Sequence, residues 1–122
     1  MSTKIRHPAG ELAARDLEQW VEHNRASLLE RGVTALFGRA PRLGRVDGAT
    51  WISFSSSAVD ARVIREADGS CDVDAHRFRD GLVLKHEHHT LTTREQLDAV
   101  VALLALERRS STAVLSSGGT YP

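Results

Sequence analysis

The chain has 122 residues, 41% of them hydrophobic and 26% charged, with 16 basic side chains against 16 acidic ones. That is one domain's length of polymer with enough apolar content for a modest core, and its zero net charge argues against a dedicated nucleic-acid binder, which carries a basic excess. Cys71 is the only cysteine, which excludes an intramolecular disulfide and a zinc site built on several thiolates.

The longest strongly apolar run, residues 99–106, falls well short of the roughly twenty residues of a membrane-spanning helix. Residues 1–10 lack the apolar stretch of a signal peptide, so a cytoplasmic protein with no membrane partner is expected. Arginine outnumbers lysine fourteen to two (Lys4 and Lys85), a bias that fits the coding habit of a GC-rich bacterial genome. Charge is also unevenly placed. Residues 1–45 hold eight basic and five acidic side chains, and residues 46–109 hold eight and eleven, so the halves are +3 and −3. Such a bipolar surface can steer a charged partner.

Residues 1–9 carry no periodic pattern and are expected to fray. The spacing of Ala13, Leu17, Trp20, Val21, Asn24 and Leu28 predicts a helix over residues 11–31, its stripe facing the core and Gly32 stopping it. Between Val33 and Gly48 the glycines and Pro41 read as a loop with a small packed segment, Ala35-Leu36-Phe37. That loop carries Arg39, Arg42 and Arg45 outward. The period then changes to two in Thr50-Trp51-Ile52-Ser53-Phe54-Ser55, in Val59-Asp60-Ala61-Arg62-Val63 and in Cys71-Asp72-Val73-Asp74-Ala75. A fourth run starts at Leu82 and ends at His89, and the pairs Asp68-Gly69 and Asp80-Gly81 mark hairpins. Residues 46–90 therefore read as a four-stranded antiparallel meander. A bulged or three-residue turn at the first hairpin sets Val73 opposite Val63 and Ala75 opposite Ala61, keeping one apolar face intact.

Thr92-Thr93-Arg94-Glu95 has a capping-box pattern and opens a second helix with the stripe Leu97, Val100, Val101, Leu103 and Leu104. It is expected to end near Arg108 and Arg109, where cations complement the helix dipole. The fold class expected is α+β in the order α-β-β-β-β-α, both helices on one sheet face. One domain covers residues 1–109, and residues 110–122 form a loose polar tail.

The most conspicuous chemistry is Lys85-His86-Glu87-His88-His89, where two histidines at period two share a strand face and suit a metal. A two-residue turn at Asp80-Gly81 sets Asp72 opposite His89, Asp74 opposite Glu87 and His76 opposite Lys85. Those six groups then share one face, and His86 and His88 lie on the other with Val73 and Ala75. That register divides the ligand cluster, so no metal is expected. Cys71 sits on the apolar face as a small hydrophobe. Ser53, Ser55, Ser56 and Ser57 lack a nucleophile-elbow context, and no phosphate or dinucleotide loop is present. An Asp74–Glu87 pair on an open sheet is well solvated. Neither an enzyme nor a cofactor follows.

A polar, open sheet face is a natural docking surface for a protein. The candidate residues are Trp51, Arg65, Asp72, Asp74, His76, Lys85, Glu87 and His89, mixed charges around an aromatic anchor. An exposed edge strand also offers a route to a homodimer.

The segments Trp51-Ile-Ser-Phe54, Ala61 through Asp74 with its Gly69-Ser-Cys-Asp-Val-Asp74 run, and His86-Glu-His-His89 before a leucine-rich helix resemble the TriTu family of bacterial immunity proteins. The resemblance covers residues 46–106. It implies a non-enzymatic protein that protects a producing cell by binding its cognate toxin. The residues leave two alternatives: a small metal-dependent enzyme using His76, His86, His88 and His89, and a secretion chaperone or adaptor. If the partner handles nucleic acid or a nucleotide, Asp72, Asp74 and Glu87 would mimic phosphates, with Glu66 and Asp68 extending the field. The Arg39, Arg42 and Arg45 loop is the competing patch.

Overall fold

The computed structural model describes residues 11–41, 44 and 48–118, of which residues 108–118 are described by backbone alone. The expectations for residues 1–9, for Arg42 and Arg45, and for residues 119–122 lie outside the described residues.

The apolar stripe at three- and four-residue spacing makes helix α1 (Ala14–Glu30), which buries Leu17, Val21 and Leu28. It starts later than its pattern suggests, because Glu11 bridges Thr93 and the Leu12 N–H donates to the Thr92 carbonyl at 2.8 Å. The Asp16 carboxylate accepts from the Ala13 N–H at 2.7 Å, satisfying a donor the first turn cannot. At the other end Gly32 takes φ 79°, and the N–H groups of Gly32 and Val33 reach back to Leu29 and Leu28, both at 2.9 Å. The expected stop therefore forms where the glycine sits.

Five strands follow, β1 (Thr34–Arg39), β2 (Thr50–Ser55), β3 (Val59–Arg65), β4 (Cys71–Arg77) and β5 (Val83–His89), then helix α2 (Arg94–Gly118). They form an antiparallel meander in sequence order. The sheet thus has one strand more than the four expected. The segment read as a loop is β1, where Ala35 and Phe37 face inward and Gly38 pairs with Trp51. Glycine there marks the close approach of a side chain rather than a turn. Arg39 ends that strand instead of pointing outward from a loop, held by Glu18 at 3.2 Å and lying over the Phe37 ring at 5.3 Å.

The β3–β4 hairpin has the favoured register, Val63 opposite Val73 and Ala61 opposite Ala75. Its turn is Ala67-Asp68-Gly69, with Gly69 at φ 91° and the Asp68 carboxylate accepting from the Ser70 N–H and hydroxyl at 2.9 and 2.6 Å.

The β4–β5 hairpin departs from expectation. Its loop is Phe78-Arg79-Asp80-Gly81, closed by the Gly81 N–H on the Arg77 carbonyl, and His76 pairs with Val83. Ala75 then pairs with Lys85, so Leu84 is the extra residue of a bulge. Leu84 packs on the core, and every residue beyond it changes face.

At α2 the cap is one residue later than the Thr92–Glu95 pattern: the Gln96 side chain accepts from the Thr93 N–H at 2.9 Å. Thr92 instead is fully buried, its hydroxyl within hydrogen-bond distance of the Gly69 and Ser70 carbonyls at 3.0 and 3.2 Å. The helix also runs on to Gly118, past the expected end, since no proline or glycine interrupts residues 94–117. No helix among the described residues is long and apolar enough to cross a membrane.

One core joins these elements. Leu17, Val21 and Leu28 of α1 and Leu97, Val100 and Leu104 of α2 meet the inward rows of the sheet, among them Ile52, Phe54, Val59, Val63 and Val73. The Trp20 and Phe54 rings meet edge to face, 5.9 Å between centroids. Both helices therefore lie on one face, and among the described residues nothing covers the other.

Candidate functional site on the open sheet face

Alternation within each strand and the register between strands settle which side chains line the open face. One row crosses the sheet through Gly38, Trp51, Ile64, Asp72 and His88. The next runs through Leu36, Ser53, Arg62, Asp74 and His86. The face is consequently divided. Toward β1 it is apolar, with Leu36 57% exposed and Trp51 and Ile64 half-buried. Toward β5 it is mostly ionic, with Val83 exposed opposite His76.

At the ionic end each histidine meets one aspartate across β4 and β5. The Nδ1 of His86 lies 2.6 Å from Asp74 Oδ1, and that of His88 lies 2.7 Å from Asp72 Oδ1. Both imidazoles remain largely exposed, at 83% and 63% of the side chain, so a partner can reach and replace them. The bond to Asp72 raises the His88 pKa, and the same bond is the chief reason the Asp72 carboxyl lies below its ordinary range. Glu66, just before the β3–β4 turn, is pushed the other way, first by its hydrogen bond to Asp72 and then by partial burial. Asp68 within that turn is lowered by its hydrogen bonds to Ser70. Beside this corner a shallow recess of about 230 Å³ is lined by Asp60, Arg62, Ile64, Asp74 and His76.

Of the candidate docking residues, Trp51, Asp72, Asp74 and His76 lie on this face. Arg65, Lys85, Glu87 and His89 do not. The bulge at Leu84 turns Lys85, Glu87 and His89 to the helix side, beside Ala75, Val73 and Cys71. There Glu87 accepts from His89 at 2.9 Å and from Lys85 at 3.1 Å, which in that order hold its pKa down. Arg65 is tied inward, its Nε donating to the Leu12 carbonyl at 3.0 Å. Conversely, His86 and His88 join the acidic row instead of lying behind it. Leu36, Ile64, Arg62 and Asp60 also belong to the face, although polarity alone did not single them out. The alternation of β3 carried that signal for Asp60 and Arg62, since they flank inward-facing Ala61.

The face does not gather its imidazoles and carboxylates around one point. Among the described residues no group of three histidine, cysteine, aspartate or glutamate side chains is placed to hold a metal ion. Cys71 is buried against the core, and burial pushes its thiol up to about 11. As read from the sequence, it is a packing residue. What the face offers is an open, uncovered surface with an apolar half and an acidic half.

No curated protein and no solved structure matches the chain. The family model described as immunity protein TriTu matches residues 15–106, from the first turn of α1 through all five strands and well into α2. The match includes the first helix and β1, which the motifs in residues 46–106 had left out. Because it takes in both helices and the whole sheet, the chain belongs to the TriTu immunity protein family.

Proposed function

We propose that this protein binds a cognate bacterial toxin domain in the cytoplasm and neutralises it by occupation, without chemistry of its own. The observation that carries the reading is membership of an immunity family over residues 15–106. The open sheet face supports it as the docking surface: a rigid five-stranded sheet presents Trp51 and Leu36 beside a dense set of carboxylates. Aromatic anchors near the centre of a surface and charged groups around them are what protein interfaces use for affinity and orientation.

A toxin domain is expected to be encoded beside this gene, and the test is co-expression with it, followed by growth rescue and affinity pull-down. Rescue together with a stoichiometric complex is expected. A complex without rescue would instead describe a chaperone or adaptor, and no complex with an active toxin would overturn the reading.

A further inference from the structure

The open face pairs its carboxylates with histidines rather than with lysine or arginine. Across β4 and β5 the partners are Asp72 with His88 and Asp74 with His86. From β3 only Asp60 and Arg62 add charge, and the connection to β4 adds Glu66 and Asp68. His76 completes the set, and among the described residues no other element packs on this side. The patch therefore holds five carboxylates against one guanidinium, and its other polar partners are three imidazoles, the side-chain type whose ordinary charge change falls near neutral pH.

We propose that this face takes an arginine- and lysine-rich protein surface with an apolar prominence, its cations replacing His86 and His88 as partners of Asp74 and Asp72, so that docking strengthens as these histidines lose their protons. The identity of that partner as the toxin rests on the functional reading above; the chemistry rests on the face itself. A small polyamine or metal would use only the ionic end. A protein is indicated because the apolar half, Leu36, Trp51 and Ile64, continues in the same rows, and Trp51 to His88 spans three strand spacings, about 14 Å. Guanidinium groups also form two-pronged bonds with carboxylates that an imidazole cannot match. Deprotonation raises the patch's net negative charge and removes the competing cations at once. Both effects point the same way.

The experiment titrates the full chain with an arginine-rich peptide carrying a central leucine, read by backbone amide shifts at about pH 5.5 and about pH 7.5, either side of the ordinary histidine range. Shifts should concentrate on the outward rows of β2–β5, with affinity about fivefold to tenfold higher at the upper pH, the size expected of two surface charge pairs. The doubly substituted His86→Gln, His88→Gln chain, which keeps neutral side chains, should bind at the lower pH as the unsubstituted chain does at the upper. A glutamate-rich peptide should not bind this face. Shifts confined to the helix side, or an affinity indifferent to pH, would overturn the inference. The peptide needs no toxin, so docking here without toxin neutralisation would defeat only the functional reading. A neutralising complex in which neither pH nor this face matters would defeat only the inference.

Discussion

The Trp51 indole lies over the backbone of Gly38 on the neighbouring strand, so close that a Cβ at residue 38 would stand 2.5 Å from its Cε2 and 2.8 Å from its Cζ2. A side chain at this position must push the ring aside. Gly38→Ala should therefore change the tryptophan near-ultraviolet dichroism. Overpacking costs about 1–3 kcal/mol, and the loss of glycine's conformational freedom returns about 0.5–1, so a net loss of about 1–2 kcal/mol is expected in denaturant melts. An unchanged spectrum and midpoint would show that the ring does not rest there. Under the docking reading, Gly38→Ala also weakens toxin binding, because the anchor is displaced.

Two buried threonines should respond oppositely to the same substitution. Thr50 is 3% exposed and its hydroxyl oxygen is buried without a hydrogen-bond partner among the described residues, so Thr50→Val removes an unsatisfied group at nearly constant shape. A gain of about 1 kcal/mol is expected. The Thr92 hydroxyl donates to the Gly69 carbonyl at 3.0 Å, while the Ser70 carbonyl also accepts from the Glu66 N–H, so Thr92→Val leaves the Gly69 acceptor short and should cost about 1–2 kcal/mol. Faster amide exchange around the β3–β4 turn should accompany the loss. Equal effects at the two sites would contradict these assignments.

The Asp72–His88 pair makes the pH dependence of the fold specific. His88 is raised above its ordinary 6.5, so its contribution is complete below that value and fades as pH rises through the raised one. Asp72 is lowered below its ordinary 3.8, so its contribution is complete above that value and fades as pH falls through the lowered one. Between roughly pH 4 and 6.5 both are fully present. Asp72→Asn should return the His88 titration, followed by its ring proton shifts, toward the ordinary histidine range. It should also let Glu66 titrate lower, since Asp72 is the main cause of that group's rise. If His88 titrates identically in the variant, the bond is not formed in solution.

The parts of this architecture legible in the sequence are those where side-chain period decides the outcome. The stripes Leu17-Val21-Leu28 and Leu97-Val100-Leu104 face the core, and apolar alternation alone selects the β3–β4 register. What escaped reading depends on single residues whose role is tertiary. Gly38 looks like a loop signal until the ring that crosses it is known. Leu84 is one residue too many for a regular ladder; packing it on the core costs the hairpin its regular pairing and exchanges the faces of everything after it. A four-residue loop alone would have left Asp72 and Asp74 facing the same side as Lys85 and Glu87. The bulge, not the turn, brings them to His86 and His88.

Under the proposed function, that exchange of faces supplies the sharpest test of which surface docks. Asp72 and Asp74 point to the open face, whereas Lys85 and Glu87, two strand positions apart on the neighbouring strand, point to the helix side and engage each other at 3.1 Å. Reversing Asp72 and Asp74 to lysine should leave the far-ultraviolet dichroism unchanged, because neither side chain contributes to the core. It should remove growth protection, since breaking charged contacts in an interface costs about 2–5 kcal/mol, or about thirtyfold and more in affinity. Exchanging the charges by Lys85→Glu with Glu87→Lys keeps their mutual pairing and should leave protection intact. Arg39→Glu sets like charges against Glu18 and should cost under about 1 kcal/mol of stability while protection remains, the usual scale of an exposed ion pair. Loss of protection in the Lys85/Glu87 exchange with retention in the Asp72/Asp74 reversal would move the interface to the helix side of β5. Loss only in Arg39→Glu would move it to the β1 edge, which belongs to the chain's basic half.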